Sequence, residues 1–184
     1  MPGQEQPQKE FRIIHPVYDK NDSYIPFIHA IKLALCSRGN LEIIDIRKKG
    51  ADREQISIRA VLEQWGLLPE GSQRSDVTRT GIKVTKIVKP GAGRDRVTRR
   101  LDHHLNDILV IGARSGGGMG GLFHEDLAGF LARTYRQTTL YIPVDARPLV
   151  DRYTGRLRVR RILFPVAENP APDTAFIVLH RLLS

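Results

Sequence analysis

The stretch that decides the fold is residues 107–121, Asp-Ile-Leu-Val-Ile-Gly-Ala-Arg-Ser-Gly-Gly-Gly-Met-Gly-Gly. It begins with an apolar run behind a single acid, the pattern of a strand buried on both faces. Six of the ten residues 112–121 are glycine, and 122–136 then has helical character. Strand, glycine loop and helix in this order predict a phosphate cradle, because glycine lets the backbone approach an anion and helix-start N–H groups face it. A flexible loop is the alternative, since glycine clusters mark many turns.

The composition predicts one soluble globular domain with some additional chain. The sequence has 184 residues, of which 41% are hydrophobic and 27% charged. No apolar run approaches the roughly 18 residues of a membrane span, and the N-terminus lacks the apolar stretch of a signal peptide. The single cysteine, Cys36, excludes an internal disulfide framework and fits a reducing compartment. We therefore expect a cytoplasmic protein with no membrane association.

The chain is strongly basic, with a formal net charge of +9. Its arginines and lysines gather at 47–49, 94–100 and 152–161. Such segments are typical of a nucleic-acid footprint, of a field that attracts phosphate ligands, or of a solvated basic surface. No RNA-binding or helix-turn-helix signature is present, and few aromatic residues lie among the basic ones. We therefore expect no specific nucleic-acid partner.

The apolar spacing predicts alternating strands and helices. After a polar, disordered N-terminus at 1–10, the strands are expected at 11–17, 41–46, 81–88, 107–111 and 138–144. The first helix is predicted to start from a cap at Asp22 or Ser23, with Pro26 in its first turn, and to stop at Gly39. Further helices are predicted at 52–68, where Asp52 and Gln55 are placed as a capping box, at 94–105 and at 122–136, with a polar connection at 69–80. This alternation predicts an open parallel sheet with helices on both faces.

Residues 11–145 resemble a universal stress protein domain. Residues 12–19 and the helix after them are similar to the opening strand of that family, and 91–112 to its approach to strand four. Residues 112–144 then run without a gap through the family's loop, helix and final strand. The resemblance implies an α/β fold of the adenine-nucleotide alpha-hydrolase-like kind, with a five-stranded parallel sheet of order 3-2-1-4-5.

The ATP-binding motif of that family is poorly matched. Its form is G-x2-G-x9-G-(S/T), which falls here on Gly112, Ser115, Glu125 and Asp126, so that only the first position agrees. Two carboxylates at a helix start repel phosphate, by several kcal/mol per charge pair at about 4 Å before screening. The motif therefore predicts a degenerate nucleotide site.

The family's acid at the end of strand one also departs from the pattern. It falls on Tyr18, and Asp19 comes one place later. In favour of binding, Arg114 and the glycines could rebuild a shifted cradle for ATP or AMP, although no cofactor is certain. The resemblance assigns the nucleotide-binding positions to Pro16, Val17, Tyr18, Asp19, Ile46, Ile111, Gly112, Arg114, Ser115, Gly116, Gly117, Gly118 and Asp126.

Two other patterns are weaker. Gly116-x-Gly118-x-x-Gly121 matches a dinucleotide fingerprint with Asp145 after the next strand, but the fingerprint's first glycine should directly follow its strand. The pairs at 103–104 and 124–125, His-His and His-Glu, suggest a metal, yet adjacent residues on a helix point about 100° apart and cannot chelate as a pair. We therefore predict no metal site. No catalytic residue is predicted either, because no Ser/His/Asp set is suggested and no reaction follows.

Residues beyond 145 extend past the domain. The Pro/Gly/Arg-rich segment 146–160 is expected to be a linker. Residues 161–166 (RILFPV) then repeat 12–17 (RIIHPV), and 173–183 has helical character. This repeat predicts the start of a second, incomplete domain of the same family at 161–184, with Ala167 where the family has its acid.

Two functions follow from the resemblance. The first is a regulatory or scaffolding module in stress response that acts through protein partners. The second is an adenine-nucleotide binder with a remodelled phosphate loop. For either function we expect a homodimer formed through the last strand, 138–144, and the tail 161–184, because an exposed apolar strand recruits other strands.

Overall fold

The computed structural model describes residues 12–17, 20–45, 47, 57–88, 107–113, 138–143, 145–162, 176 and 180, with the side chains of 20–23, 107 and 113 left aside. Five strands form one sheet, and two α-helices and a 3₁₀ helix lie among the described residues. The elements are β1 (Arg12–Val17), α1 (Lys20–Ser37), β2 (Asn40–Asp45), α2 (Ile58–Gln64), the 3₁₀ helix (Arg74–Thr80), β3 (Lys83–Val88), β4 (Asp107–Ala113) and β5 (Thr138–Pro143).

The sheet is entirely parallel, and its strand order is β3-β2-β1-β4-β5. This confirms the predicted fold class and strand order. The predicted helices at 94–105 and 122–136 lie outside the described residues.

Both faces of the central strands are buried, as their continuous apolar runs predict. On one face Ile13, Val17 and Ile43 join the core that α1 and α2 cover. On the other, Ile14 and Leu109 are fully buried as well.

The first helix begins earlier than predicted. It starts at Lys20, so Pro26 lies inside the helix and not in its first turn. The missing N–H of Pro26 removes one bond of the helical ladder, and the burial of Phe27 and Ile31 in the core offsets that loss. The helix ends with a Schellman motif in which the left-handed residue is Arg38, with φ of 48°, and not the predicted Gly39.

The second helix is shorter than predicted. Its cap is Ser57, which has extended backbone angles and accepts a hydrogen bond from the N–H of Ala60, so the helix cannot run on from residue 52. The predicted capping box of Asp52 and Gln55 lies outside the described residues. The helix ends at Gln64, because Gly66 takes a left-handed φ of 69°. The predicted polar connection 69–80 also contains the 3₁₀ helix.

The segment after β5, for which composition predicts a linker, contains a β-hairpin. Val150 pairs with Leu157 in antiparallel fashion, and Asp151 accepts hydrogen bonds from the N–H groups of Tyr153 and Thr154 to form the turn. Gly155 ends the turn with a φ of 65°. We call residues 149–158 the hairpin.

The hairpin is attached to both α-helices. The indole N–H of Trp65 donates to the carbonyl of Arg152 at 3.1 Å, and His29 accepts from the N–H groups of Leu149 and Val150. Val150 is buried in the core of the domain. Residues 149–158 therefore pack as part of the described fold.

Beyond the hairpin only a few residues of the predicted second domain are described. Arg161 and Ile162 are exposed and lie outside any strand, while Phe176 and His180 are helical. The rest of the predicted strand 161–166 and of the predicted helix 173–183 lies outside the described residues. No helix in the described part of the chain is long and apolar enough to cross a bilayer.

Candidate functional site

Strands β1 and β4 stop pairing at the carboxyl end of the sheet, and we call the place between their ends the crevice. Pairing of β1 with β2 continues to Val17 and Asp45, whereas pairing of β1 with β4 stops at Ile14 and Leu109. Successive residues of a parallel strand direct their N–H groups to opposite neighbours, and Pro16 has no N–H to donate. The hydrogen-bond ladder of β1 is therefore lost toward β4 and kept toward β2. This is the point at which the strand order reverses, where ligands bind in open α/β sheets.

His15 bridges the two strands where their ladder ends. Its Nδ1 atom lies 2.9 Å from the carbonyl oxygen of Val110. Because a carbonyl oxygen can only accept, Nδ1 carries the proton and donates it. The ring is 1% exposed and packs against Phe27 of α1 with the ring centroids 5.9 Å apart. The imidazole therefore lies between the sheet and α1, at the level where the pairing of β1 with β4 ends.

The structure brings four predicted nucleotide-site residues to this end of the sheet. Pro16 and Val17 end β1, and Ile111 and Gly112 lie near the end of the neighbouring β4. All four are buried. They can offer an apolar wall and a close backbone approach, but no charged group.

The other predicted nucleotide-site residues lie outside the described part of the chain. They comprise the two positions after β1, the position after β2, five positions after β4 and one position in the predicted helix 122–136: Tyr18, Asp19, Ile46, Arg114, Ser115, Gly116, Gly117, Gly118 and Asp126. The histidines considered as metal ligands, His103, His104 and His124, lie outside it as well. Among the described residues, no three His, Cys, Asp or Glu side chains form a group that could hold a metal ion.

A buried ion pair lies at the carboxyl end of β2, on the other side of β1 from β4. The guanidinium of Arg47 binds the carboxylate of Asp45 in a bidentate manner, with Nε 3.0 Å from Oδ1 and Nη2 2.7 Å from Oδ2. The backbone N–H of Arg47 also donates to Oδ1. Both residues are more than nine-tenths buried. Paired, planar contacts of this kind are the strongest ion-pair geometry available to arginine.

The environment of Asp45 keeps its carboxyl group ionised. Burial acts to raise the pKa of Asp45, but the hydrogen bonds from Arg47 and the charges of Arg47 and Lys86 outweigh it and lower the pKa below 3.8. A cavity of about 20 Å³ lies beside the pair, bounded by Val17, Phe27, Ile43, Asp45, Arg47 and Lys86. This is room for about one water molecule.

Sequence reasoning missed Asp45, Arg47 and His15. The signal for the ion pair was present, since an acid and an arginine two residues apart stand at the end of a buried strand. It could not be interpreted without knowing that both side chains turn inward. The partner of His15 lies 95 residues away, and no local pattern points to it.

A second cleft, of about 260 Å³, lies between the edge of the sheet and the 3₁₀ helix. Its floor is apolar, from Ile43, Val77 and Val84, and cations lie at its rim. One of these, Arg59, is held by the carbonyl of Ser72 at 2.8 Å. Among the described residues the cleft holds no acid.

Comparison with known proteins identifies the fold. No protein-family model and no curated protein sequence matches this chain. Among solved structures, a universal stress protein in complex with cAMP is similar over 74% of this chain and 98% of its own, with a TM-score of 0.50 and 17% identity. The universal stress protein UspA from Lactobacillus plantarum has a TM-score of 0.47 and 15% identity, over 74% of this chain and 99% of its own. The chain therefore has the fold of a universal stress protein, as the sequence resemblance implies.

Proposed function

We propose that this chain is a regulatory or scaffolding module of the universal stress protein type whose nucleotide site is degenerate. The observation that carries the proposal is the buried pair of Asp45 and Arg47. A phosphate group at the carboxyl end of the sheet would need a cation with donors to spare, and two of the three guanidinium nitrogens of Arg47, Nε and Nη2, are directed at Asp45. Binding an anion there would require breaking a bidentate contact in a buried position, which costs several kcal/mol.

The glycine loop supports the same proposal from its sequence. Ser115, Glu125 and Asp126 replace the two glycines and the hydroxyl residue of the family's motif. Glu125 and Asp126 place two negative charges where the family's motif has a glycine and a hydroxyl residue. Phosphate would be repelled by them.

The test is to look for nucleotide in the protein as purified. The protein is denatured by heat, the supernatant is examined by mass spectrometry, and ATP and AMP are titrated calorimetrically into fresh protein. We expect no stoichiometric nucleotide and weak binding. The triple variant Ser115→Gly, Glu125→Gly, Asp126→Ser should bind ATP at least tenfold more tightly, whereas Glu70→Gly, which removes an exposed acid elsewhere, should not.

The second candidate is an adenine-nucleotide binder with a remodelled phosphate loop. It is favoured by the open ladder between β1 and β4, which forms the crevice that ligands use in this fold class. The first comparison structure holds cAMP, which makes the cyclic nucleotide a third ligand for the same titration. Tight ATP, AMP or cAMP binding that persists unchanged in the variant Arg156→Ala would establish this function and exclude a degenerate site.

We also propose that the module works as a homodimer in the cytoplasm, formed through β5 and the tail 161–184, with other protein partners bound through the same surfaces. Strand β5 pairs only with β4 among the described strands, so it lies at the edge of the described sheet, where a second copy can add a strand. Tyr141 on this strand is 43% exposed, and Ile162 at the start of the tail is 45% exposed. The single cysteine supports a reducing compartment.

A further inference from the structure

A basic groove lies along the hairpin and is lined by none of the residues that end β1 and β4. Its volume is about 750 Å³. Four arginines line it, Arg147, Arg156, Arg158 and Arg160, together with apolar side chains such as Leu149. We call it the arginine groove.

Among the described residues, little negative charge compensates the arginine groove. Residues 147–160 contain five arginines and one aspartate, a net charge of +4. The carboxylate of Asp151 is already engaged, by the N–H groups of Tyr153 and Thr154 and by Arg158. Within the described part of the chain, no carboxylate pairs with the other three groove arginines.

The groove is built on a firmly held backbone. The hairpin is attached to α1 through His29 and to α2 through Trp65. Gly155 lies so close to Trp65 that a Cβ atom there would be 2.5 Å from the indole ring. An anion would therefore meet arginines whose backbone is already ordered, which lowers the entropic cost of binding.

We propose that the arginine groove binds a small anion that carries several adjacent phosphate groups. The planar guanidinium group binds phosphate oxygens in pairs, and several guanidinium groups that pair with no described carboxylate suit a chain of phosphates. The volume falls within the roughly 300–1,000 Å³ of small-molecule sites. The phosphate chain itself is the recognised chemistry, whether it comes from inorganic polyphosphate or from the triphosphate of a nucleotide.

The groove is less suited to a single-stranded nucleic acid. Such ligands stack their bases on exposed aromatic rings between the basic residues. The aromatic ring on the hairpin is Tyr153, and the guanidinium of Arg152 covers its face at 4.4 Å from the ring centroid. This contact occupies a surface on which a base would stack.

The test is a titration of the full chain with inorganic tripolyphosphate in about 0.15 M salt, followed by calorimetry and by the fluorescence of Trp65, the only tryptophan. We expect saturable 1:1 binding. Arg156→Ala and Arg160→Ala should each weaken it about tenfold, because each loses charge-assisted hydrogen bonds. The lysine variants at the same positions should keep part of the affinity, since they retain charge but lose paired contacts.

Matched controls are Arg74→Ala and Arg79→Ala, which remove exposed arginines from the 3₁₀ helix and should leave the affinity within twofold. Equal loss in both sets, or no saturable binding, would overturn the proposal. Unchanged melting temperatures show that the variants fold.

A second titration, with ATP, identifies the source of the phosphate chain. ATP that binds as tightly as tripolyphosphate, and whose binding is lost in Arg156→Ala, identifies the phosphate chain as the ligand. ATP binding unaffected by Arg156→Ala belongs instead to the crevice and bears on the proposed function. Affinity for single-stranded DNA that exceeds that for tripolyphosphate and grows with length would refute a small-ligand site.

Discussion

His29 of α1 accepts a hydrogen bond from the backbone N–H of Leu149, with Nε2 3.1 Å from the nitrogen, across 120 residues of sequence. The N–H of Val150 points at the same Nε2 atom, at 3.3 Å. The other ring nitrogen, Nδ1, lies 2.7 Å from the carbonyl oxygen of Ile25, which can only accept. Nδ1 therefore carries the proton, and the geometry requires a neutral imidazole.

Protonation of His29 should release the hairpin. Burial lowers the pKa of His29 below 6.5 and outweighs its hydrogen bond to the carbonyl of Ile25. The unfolded chain thus binds the proton more readily than the folded one. The stability that His29 contributes is complete above about pH 6.5 and is lost as the pH falls below it. Thermal melting between pH 5 and 8 should show this decline, together with a change in Trp65 fluorescence.

The variant His29→Leu separates this effect from general acid sensitivity. It leaves the N–H groups of Leu149 and Val150 without their acceptor, so we expect a loss of about 1–3 kcal/mol at pH 7.5. The decline between pH 6.5 and 5 should become shallower. His180→Gln, which removes an exposed histidine, should leave the pH profile unchanged. An identical profile in the wild type and His29→Leu would contradict a role for this imidazole.

Gly155→Ala should destabilise the protein more than an ordinary substitution at a left-handed glycine. Its φ is 65°, and the new methyl group would lie within 2.7 Å of two carbon atoms of Trp65. Gly71→Ala is the matched control, because its φ is 75° and nothing lies within 4 Å of the added atom. We expect a loss of about 1 kcal/mol for Gly71→Ala and at least 1–2 kcal/mol more for Gly155→Ala in urea unfolding. Equal losses would mean that the hairpin does not rest on Trp65.

Breaking the buried pair of Asp45 and Arg47 should cost more than removing it. Arg47→Met leaves a buried carboxylate alone, at about 3–5 kcal/mol. Adding Asp45→Leu to that variant should recover part of the loss in chemical denaturation. In the wild type, the pKa of Asp45 is lowered. The contribution of the pair to stability is therefore present above about pH 3.8 and is lost as the pH falls below that value. A double variant less stable than Arg47→Met would argue against this account.

The edge of β5 should control the oligomeric state. We expect light scattering to report a dimer, and Tyr141→Glu to convert it to a monomer, because like charges would meet across the joined edges. Leu67→Glu changes a side chain that is 50% exposed on the turn after α2 and should leave the dimer intact.

The tail is tested separately by deleting 163–184, which spares the pairing of Val150 with Leu157. We expect this deletion to lower solubility or to alter the dimer. A full-length monomer would contradict the dimer proposal, and a dimer unaffected by either change would place its interface elsewhere.

The sequence by itself determined the sheet. Apolar runs such as Ile108–Ile111 are local patterns, because a strand buried on both faces must be apolar throughout. The repeated change from strand spacing to helical spacing is a local pattern as well. The alternation of such runs with helical spacing, together with the family resemblance, then predicted the strand order. Exact helix starts were less predictable, since Ser57 and Asp52 are both acceptable caps and the packing of α2 decides between them.

Only the tertiary structure decided the polar contacts that shape the site and the hairpin. His15 meets Val110, Trp65 meets Arg152 and His29 meets Leu149 across 95, 87 and 120 residues. A buried polar group needs a partner, but the partner's identity depends on which backbone groups the finished fold places beside it. Composition alone predicted a linker at 146–160. In the fold, backbone groups of that segment are the hydrogen-bond partners of the His29 imidazole and the Trp65 indole, and no local pattern in the sequence indicates those partners.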